Sequence, residues 1–457
     1  MGTHDSRSRR KWLFNRFREG FLCSVLLLSG AVAQAQIVPD GTLGGERSSI
    51  APSVLGGDQI TGGAIRGANL FHSFQDFNVG DGAKVYFANP TGIQNILTRV
   101  TGSTASNING TLGVDGAANL FLLNPNGILF GKDAQLDVRG SFVGSTANGI
   151  RFGDQGEFSA TIPETPALLT VQPSALLFTQ INPGLIENRA VLGVRLGQNL
   201  TLAGGNIRLD REGDRLSIFS PGGHIDLAAI SGTGAIKFDA EGRLFPNIDV
   251  PRGDISLSNA QVAAVGDNQG SISVYARDIN LSNRSLISRI GFTNGTDQGQ
   301  AGDILLDATG SVALSSQSVI NNNVLSGEVE NSGNIRINAQ SLVMSDRSRI
   351  TTNISGEGNS GQIFIDLKNR ADLRTGSSIT SNILETGEGN SGGIQIRTGS
   401  LKLDDRSAIE SNEVGRGTPG KIEITATNSI DLDNLARIKS STNSSRGADI
   451  QNILNFA

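Results

Sequence analysis

Cysteine is nearly absent from this 457-residue chain, with Cys23 as the single example, and histidine occurs three times, tryptophan once and proline twelve times. One thiol forms no internal disulfide, so the fold draws nothing from covalent cross-links. Aromatic residues make up only 5% of the chain, and the formal charge is −5. That sign argues against nucleic acid as a partner, because such binding rests on neutralising phosphates with Lys and Arg. Long apolar runs are missing too. The stretch over residues 21–32 is too short to span a bilayer as a mature helix.

Six basic residues, Arg7, Arg9, Arg10, Lys11, Arg16 and Arg18, precede that stretch, so residues 1–35 read as a signal peptide cut after Ala35 or Ala33. The cut removes Cys23, the six basic residues and two acidic ones, and takes the formal charge from −5 to −9. A soluble, self-repelling surface follows. Ser8-Arg9-Arg10-Lys11 resembles a twin-arginine signal, but ten residues separate the arginine pair from the apolar stretch, which favours an exporter of unfolded chains.

Against these shortages stand 59 glycines, without the period of collagen. Frequent sharp turns need them. Phenylalanine is concentrated early: of 19, only Phe292, Phe364 and Phe456 follow residue 250. Beyond that point the chain is periodic. Glycine followed by alternating apolar residues recurs at Gly270, Gly302, Gly333, Gly361, Gly392 and Gly420, at spacings of 32, 31, 28, 31 and 28. Each unit continues with a second alternating patch, such as Leu342-Val-Met344, and a third, such as Asp346-Arg-Ser-Arg-Ile350.

Three short period-2 strands cannot bury their apolar faces within one unit, but they can if units stack at the strand spacing of about 4.8 Å. The pattern predicts an all-β, parallel β-helix of roughly 30 residues per coil, three short strands to each. Ile287, Ile320, Ile350, Ile379, Ile409 and Ile438 should form one internal stack, since their spacings track the glycine period. Asn323, Asn353, Asn382 and Asn412 recur as well. They either ladder along the stack or sit in the solvated turn after the third strand.

Residues 36–165 read as aperiodic and rich in Phe. Their most rigid element is Asn124-Pro125-Asn126-Gly127-Ile128, a tight turn between two apolar runs, where Pro125 fixes its own φ and Gly127 takes positive φ without penalty. This segment resembles the N-terminal secretion domain of two-partner secretion exoproteins, the filamentous haemagglutinin family. The matching stretches are residues 37–44 (IVPDGTLG), 69–79 (NLFHSFQDFNV), 107–112 (NINGTL) and 119–131 (NLFLLNPNGILFG). Residues 124–128 match the second family signature. Asn89-Pro90-Thr91-Gly92 stands at the place of the first, usually Asn-Pro-Asn-Leu, and departs from it.

The resemblance implies a right-handed β-helix, in agreement with the repeats, and an address read by an outer-membrane β-barrel partner through its periplasmic domains. Two roles stay open for the Asn124 turn: fixing a coil corner early in folding, or touching that partner. Residues 166–250 read as bridging coils, with Pro163, Pro166, Pro173 and Pro183 marking a boundary or an excursion, and residues 251–457 as the repeat rod. The terminal stretch 449–457 reads as the start of another coil.

Parallel β-helices also carry polysaccharide lyases and hydrolases, so a carbohydrate-active enzyme is the competing reading. Only His72 and His224 outlast signal removal, and no Ser-His-Asp spacing, His-x-x-x-His pair or calcium-binding Gly-Asp repeat is present. Asp346 and the pair Asp404-Asp405 fall where turns need capping carboxylates. The sequence therefore predicts no catalytic residue, no metal and no cofactor. It predicts a secreted adhesin or scaffold that meets a carbohydrate, a host surface or a neighbouring cell.

Overall fold

Alternating strands that bury one face and solvate the other close into coils here. A computed structural model describes residues 36–54, 56–211, 213, 216–246, 250–266, 270–290, 301–325, 331–442 and 453–456. The signal peptide and the terminal stretch 449–457, except residues 453–456, lie outside the described residues. Among the described residues every regular element is a strand. Parallel pairing dominates, and a 22-stranded and a nine-stranded sheet run along the coils.

The architecture is a parallel β-helix. On one face the inward residues Leu70, Ile96, Leu120, Phe142, Leu200, Ile225, Ile272, Ile304, Ile335, Ile363, Ile394 and Ile422 lie in register, each against the next. All are buried in a single core, and each contributes about 1.5–3 kcal/mol by leaving water. This column passes residues 165 and 250 without a break.

The isoleucine stack is present on another face. Ile287, Ile320, Ile350, Ile379, Ile409 and Ile438 pair in sequence, and the column extends back through Val262 and Ile218 to Leu192. The first two patches of each repeat differ from expectation. In the later coils they join into one long strand, as in Ile335–Met344 and Ile363–Leu373. An irregularity in the ladder between Ala339 and Ser341 bends the strand where a turn was expected.

The aperiodic reading of residues 36–165 is corrected. The column residues Leu70, Ile96, Leu120 and Phe142 recur at 26, 24 and 22, so these are coils of shorter circumference. Their strands are buried on both faces, which erases the alternation that reveals a coil. The outer cover is a five-stranded antiparallel sheet made of Gly149–Arg151, Glu157–Ser159, Ala175–Phe178, Gly234–Phe238 and Leu244–Pro246. Outward Phe71, Leu97, Phe121 and Val143 pack with Phe152, Phe158, Leu176 and Ile236 in a second core. The prolines of residues 163–183 thus accompany an excursion from the coil. At the N-terminal end of the stack, Gln36–Pro39 pairs antiparallel with Asn69–Asn78 and closes the first edge.

The repeat asparagines do ladder. Oδ1 of Asn323, Asn353 and Asn382 accepts the backbone N–H of Asn353, Asn382 and Asn412 in turn, at 2.7–2.9 Å. Asp346-Arg347 and Asp405-Arg406 form turns with both residues at positive φ, 46–60°, and the carboxylate Oδ1 of Asp404 accepts the Asp405 N–H. These acidic residues are turn components.

Candidate functional site

The Asn124 corner lies between two coils. Strand Asn119–Leu123 leads in and Ile128–Phe130 leads out. Gly127 N–H donates to Asn124 O at 3.1 Å, closing the β-turn. Asn124 is fully buried. Its Nδ2 donates to Thr104 O (2.9 Å) and Ser106 Oγ (3.0 Å) on the coil before, while its Oδ1 accepts Asn126 N–H at 3.0 Å. The coil after is held by Gly184 N–H to Pro125 O and by Ile128 N–H to Leu185 O, both 3.0 Å.

Gly127 has a φ of 129°, and a Cβ there would stand 3.0 Å from Leu185 O, so glycine is required twice over. Pro125, Gly127 and Ile128 are buried; only Asn126 is exposed. Its Nδ2 still donates to Gly102 O at 2.8 Å.

Asn89 and Pro90 are not brought together with this corner. They follow a different strand, Lys84–Ala88, on another face. Pro90 is exposed and Asn89 half-buried. Asn89 Oδ1 accepts the N–H groups of Ala117 and Ala118 on the next coil, at 3.0 and 3.1 Å. Both asparagines therefore stitch adjacent coils, Asn89 forwards and Asn124 backwards.

Sequence reasoning missed a third element. Arg99 is 1% exposed, yet its guanidinium donates to Ser73 Oγ, Ser159 O, Thr42 Oγ1 and Glu164 O at 2.8–2.9 Å and stacks on Phe158 at 4.3 Å. Burial pushes its pKa down to about 10, opposed by Asp40, so it stays charged at neutral pH. Burial also pushes Asp40 up, but hydrogen bonds from Thr101, Thr42 and Ser73 outweigh it and hold the carboxyl below its ordinary value. This network ties the Asp40-Gly-Thr42 segment to the first coils and to the covering sheet. A lone arginine in an apolar strand leaves no local signature.

An amide ladder was also hidden there: Asn95 Nδ2 donates to Asn69 Oδ1 and Asn119 Nδ2 to Asn95 Oδ1, at 2.9 and 3.0 Å. Asparagine opening three successive strands was the available signal. His72 is buried, bonded through Nδ1 to Ser48 Oγ at 3.0 Å, and desolvation lowers its pKa to about 3. Among the described residues no group of three or more His, Cys, Asp or Glu could hold a metal ion.

Residues 35–274 match the TPS secretion domain. The chain belongs to the two-partner secretion family. It is an exported exoprotein of that system, destined for the cell surface or the medium. It is similar to the heme/hemopexin-binding protein of Haemophilus influenzae, at 23% identity over 239 residues. The match covers 48% of this chain and 26% of that protein, so the chain spans about a quarter of that relative's length. The crystal structure of the HMW1 secretion domain from Haemophilus influenzae shares the fold, with a TM-score of 0.61 at 18% identity, covering 90% of this chain and 99% of that one.

Proposed function

We propose that residues 36–274 are the export address of this two-partner secretion protein, read in the periplasm by an outer-membrane β-barrel transporter, and that the later coils form a non-enzymatic adhesive or scaffolding rod. The observation that carries the first half is the Asn124 corner. Its buried side chain bonds to the coil before, and its backbone to the coil after. That placement supports a role in setting the first coils rather than in touching the transporter, because Asn126 alone reaches solvent. Family membership supports the transporter as partner.

A β-helix stacked coil on coil is too wide to thread a narrow barrel folded, so the client crosses unfolded and folds outside, where coils nucleate at one end and propagate. Coil nucleation at the N-terminal end would keep the chain from sliding back.

For the second half, the supporting feature is regularity. Asp346, Asp404 and Asp405 are engaged in turns, the isoleucine column is unbroken among the described residues, and the buried polar column beside it, with Asn322, Thr352, Ser381 and Ser411, is hydrogen-bonded within the coils. Co-expression with the transporter tests the reading. Residues 1–274 fused to an unstructured reporter should reach the medium, and residues 1–35 fused to 275–457 should stay in the periplasm. Release of the second fusion at full yield would overturn it.

A further inference from the structure

Outward faces on the coils are largely apolar under the covering sheet and solvated elsewhere, and Arg99, an outward buried charge, is hydrogen-bonded into that sheet. A carboxyl is buried as well. Asp226, on strand Ile225–Ala229, faces outward in a column with Thr201, Ser273, Leu305 and Arg336, yet it is 2% exposed. Its Oδ2 accepts the Leu244 N–H at 3.1 Å, and Ser273 stands opposite it on the next coil. Burial raises its pKa to about 7. Nearby, His224 Nδ1 is bonded to Ser271 Oγ at 2.5 Å, and desolvation holds its pKa below the ordinary value. Asp226 bonds to the Leu244 N–H rather than to His224, so no carboxylate–histidine–serine relay is assembled among the described residues.

His224, Ser271, Ser273, Tyr275 and Asp303 line a cleft of about 440 Å³ where the edge strand Leu244–Pro246 meets the coils, while Asp226 stays buried outside its lining. Such a volume lies in the range of small-ligand sites. Its rim carries an exposed aromatic ring, Phe245, 56% exposed. Two guanidiniums flank it. Arg243 is tied to Asp239 at 2.6 Å. Arg336 is exposed and stacks over Phe364 at 4.7 Å, with no ion pair among the described residues. Coil stacking needs none of this: Thr201 and Ser273 fill the same column without a buried carboxyl, which is costly unless compensated. An exposed ring beside a pre-oriented guanidinium, over a floor of hydroxyls, matches one ligand chemistry. A sugar's apolar face lies on the ring, its hydroxyls bond to the polar floor, and a carboxylate pairs with arginine.

We propose that this cleft binds a carboxylate-bearing saccharide, with Phe245 under the sugar ring, Arg336 on the carboxylate, and His224, Ser271 and Ser273 on the hydroxyls. The cleft joins the last coils of the 36–274 segment to the first coils of the rod, and the assignment rests on the adhesive reading of that rod and gives it a ligand class. The test is calorimetric titration of the full exported chain with trigalacturonate, sialyllactose and lactose. One of the two acidic sugars should saturate the protein, and the better of them identifies the source as a uronate or a sialate. Lactose should bind at least about tenfold more weakly. Arg336→Ala and Phe245→Ala, both at exposed positions, should each weaken binding by about tenfold, a loss expected of an anchoring side chain, while Arg406→Ala should change nothing.

Equal affinity for lactose, no saturable acidic sugar, or indifference to Arg336→Ala overturns the proposal. Adhesion of transporter-bearing cells to a glycan-coated surface separates the two claims. If cells adhere and both variants adhere equally, the cleft is wrong and the adhesive reading stands. If no cells adhere, the adhesive reading fails, and the titration alone decides the cleft.

Discussion

The coils at residues 95–145 and those at residues 335–432 share one inward column but treat their outward faces in opposite ways. In the early coils Phe121 and Val143 face outward into a second core, whereas in the later coils Arg397 and Lys402 face outward into water. A strand buried on both faces gains apolar burial twice for the same ordered backbone. The early coils also carry the Asn69–Asn95–Asn119 amide ladder, the Asn124 corner and the Arg99 network. The later coils rely on the inward isoleucines and on asparagine and turn ladders. The difference teaches where the stack begins: the doubly covered coils are dense in contacts before any repeat is added.

Charge placed on each face should separate the two regions most strongly. Ile379→Asp in the later coils and Val143→Asp in the early ones should each cost several kcal/mol, because both sites leave a carboxylate without a partner. Arg397→Asp, outward in the later coils, should stay within about 0.5 kcal/mol. Thermal unfolding of the full chain checks all three; a cheap Val143→Asp would mean that the covering sheet does not bury this face.

Acid comes next. His72, in the early coils, has its pKa lowered to about 3 from 6.5 by burial, so its contribution to stability is complete above pH 6.5 and is lost as pH falls towards 3. Asp226 runs the other way. Its pKa is raised from 3.8 to about 7 by burial, so its contribution is complete below pH 3.8 and is lost as pH rises through 7. Denaturant titrations from pH 3 to 8 should show both limbs. His72→Gln should flatten only the acid limb, and an unchanged acid limb would mean that His72 charges without unfolding the early coils.

The two signature asparagines should differ by less. Asn124→Ala leaves Thr104 O and Ser106 Oγ without this partner and should cost about 2 kcal/mol; Asn89→Ala, half-buried, should cost about 1 kcal/mol. Equal losses in chemical denaturation would remove the distinction drawn between the corners. Smallest of all, Asn353→Ala interrupts a half-buried ladder and should cost about 1 kcal/mol or less, with unfolding still cooperative.

The later coils were legible in the sequence because their outward faces are solvated. Polar residues at 336, 395 and 397 alternate with isoleucine, so period 2 shows. The early coils hid the same architecture. Leu120–Leu123 and Phe142–Ser145 are apolar or small throughout, and the excursion over residues 149–178 separates Phe142 from its column neighbour Leu200. At the site, the turn chemistry of Pro125 and Gly127 was legible, since those residues act through their own backbone. The burial of Asn124 and the convergence on Arg99 were not, because both depend on contacts 18–65 residues away.

The central claim is that the doubly covered coils and the Asn124 corner seed the stack. Pulse-labelled hydrogen exchange during refolding of the full chain tests it most directly. Amides of Asn95–Val100, Asn119–Leu123 and Ile128–Phe130 should gain protection first, with those of Ile335–Met344 through Ile422–Leu432 following in chain order, and Asn124→Ala should delay the whole series. Protection of the later coils before the early ones, or at the same rate in the Asn124→Ala chain, would contradict the account.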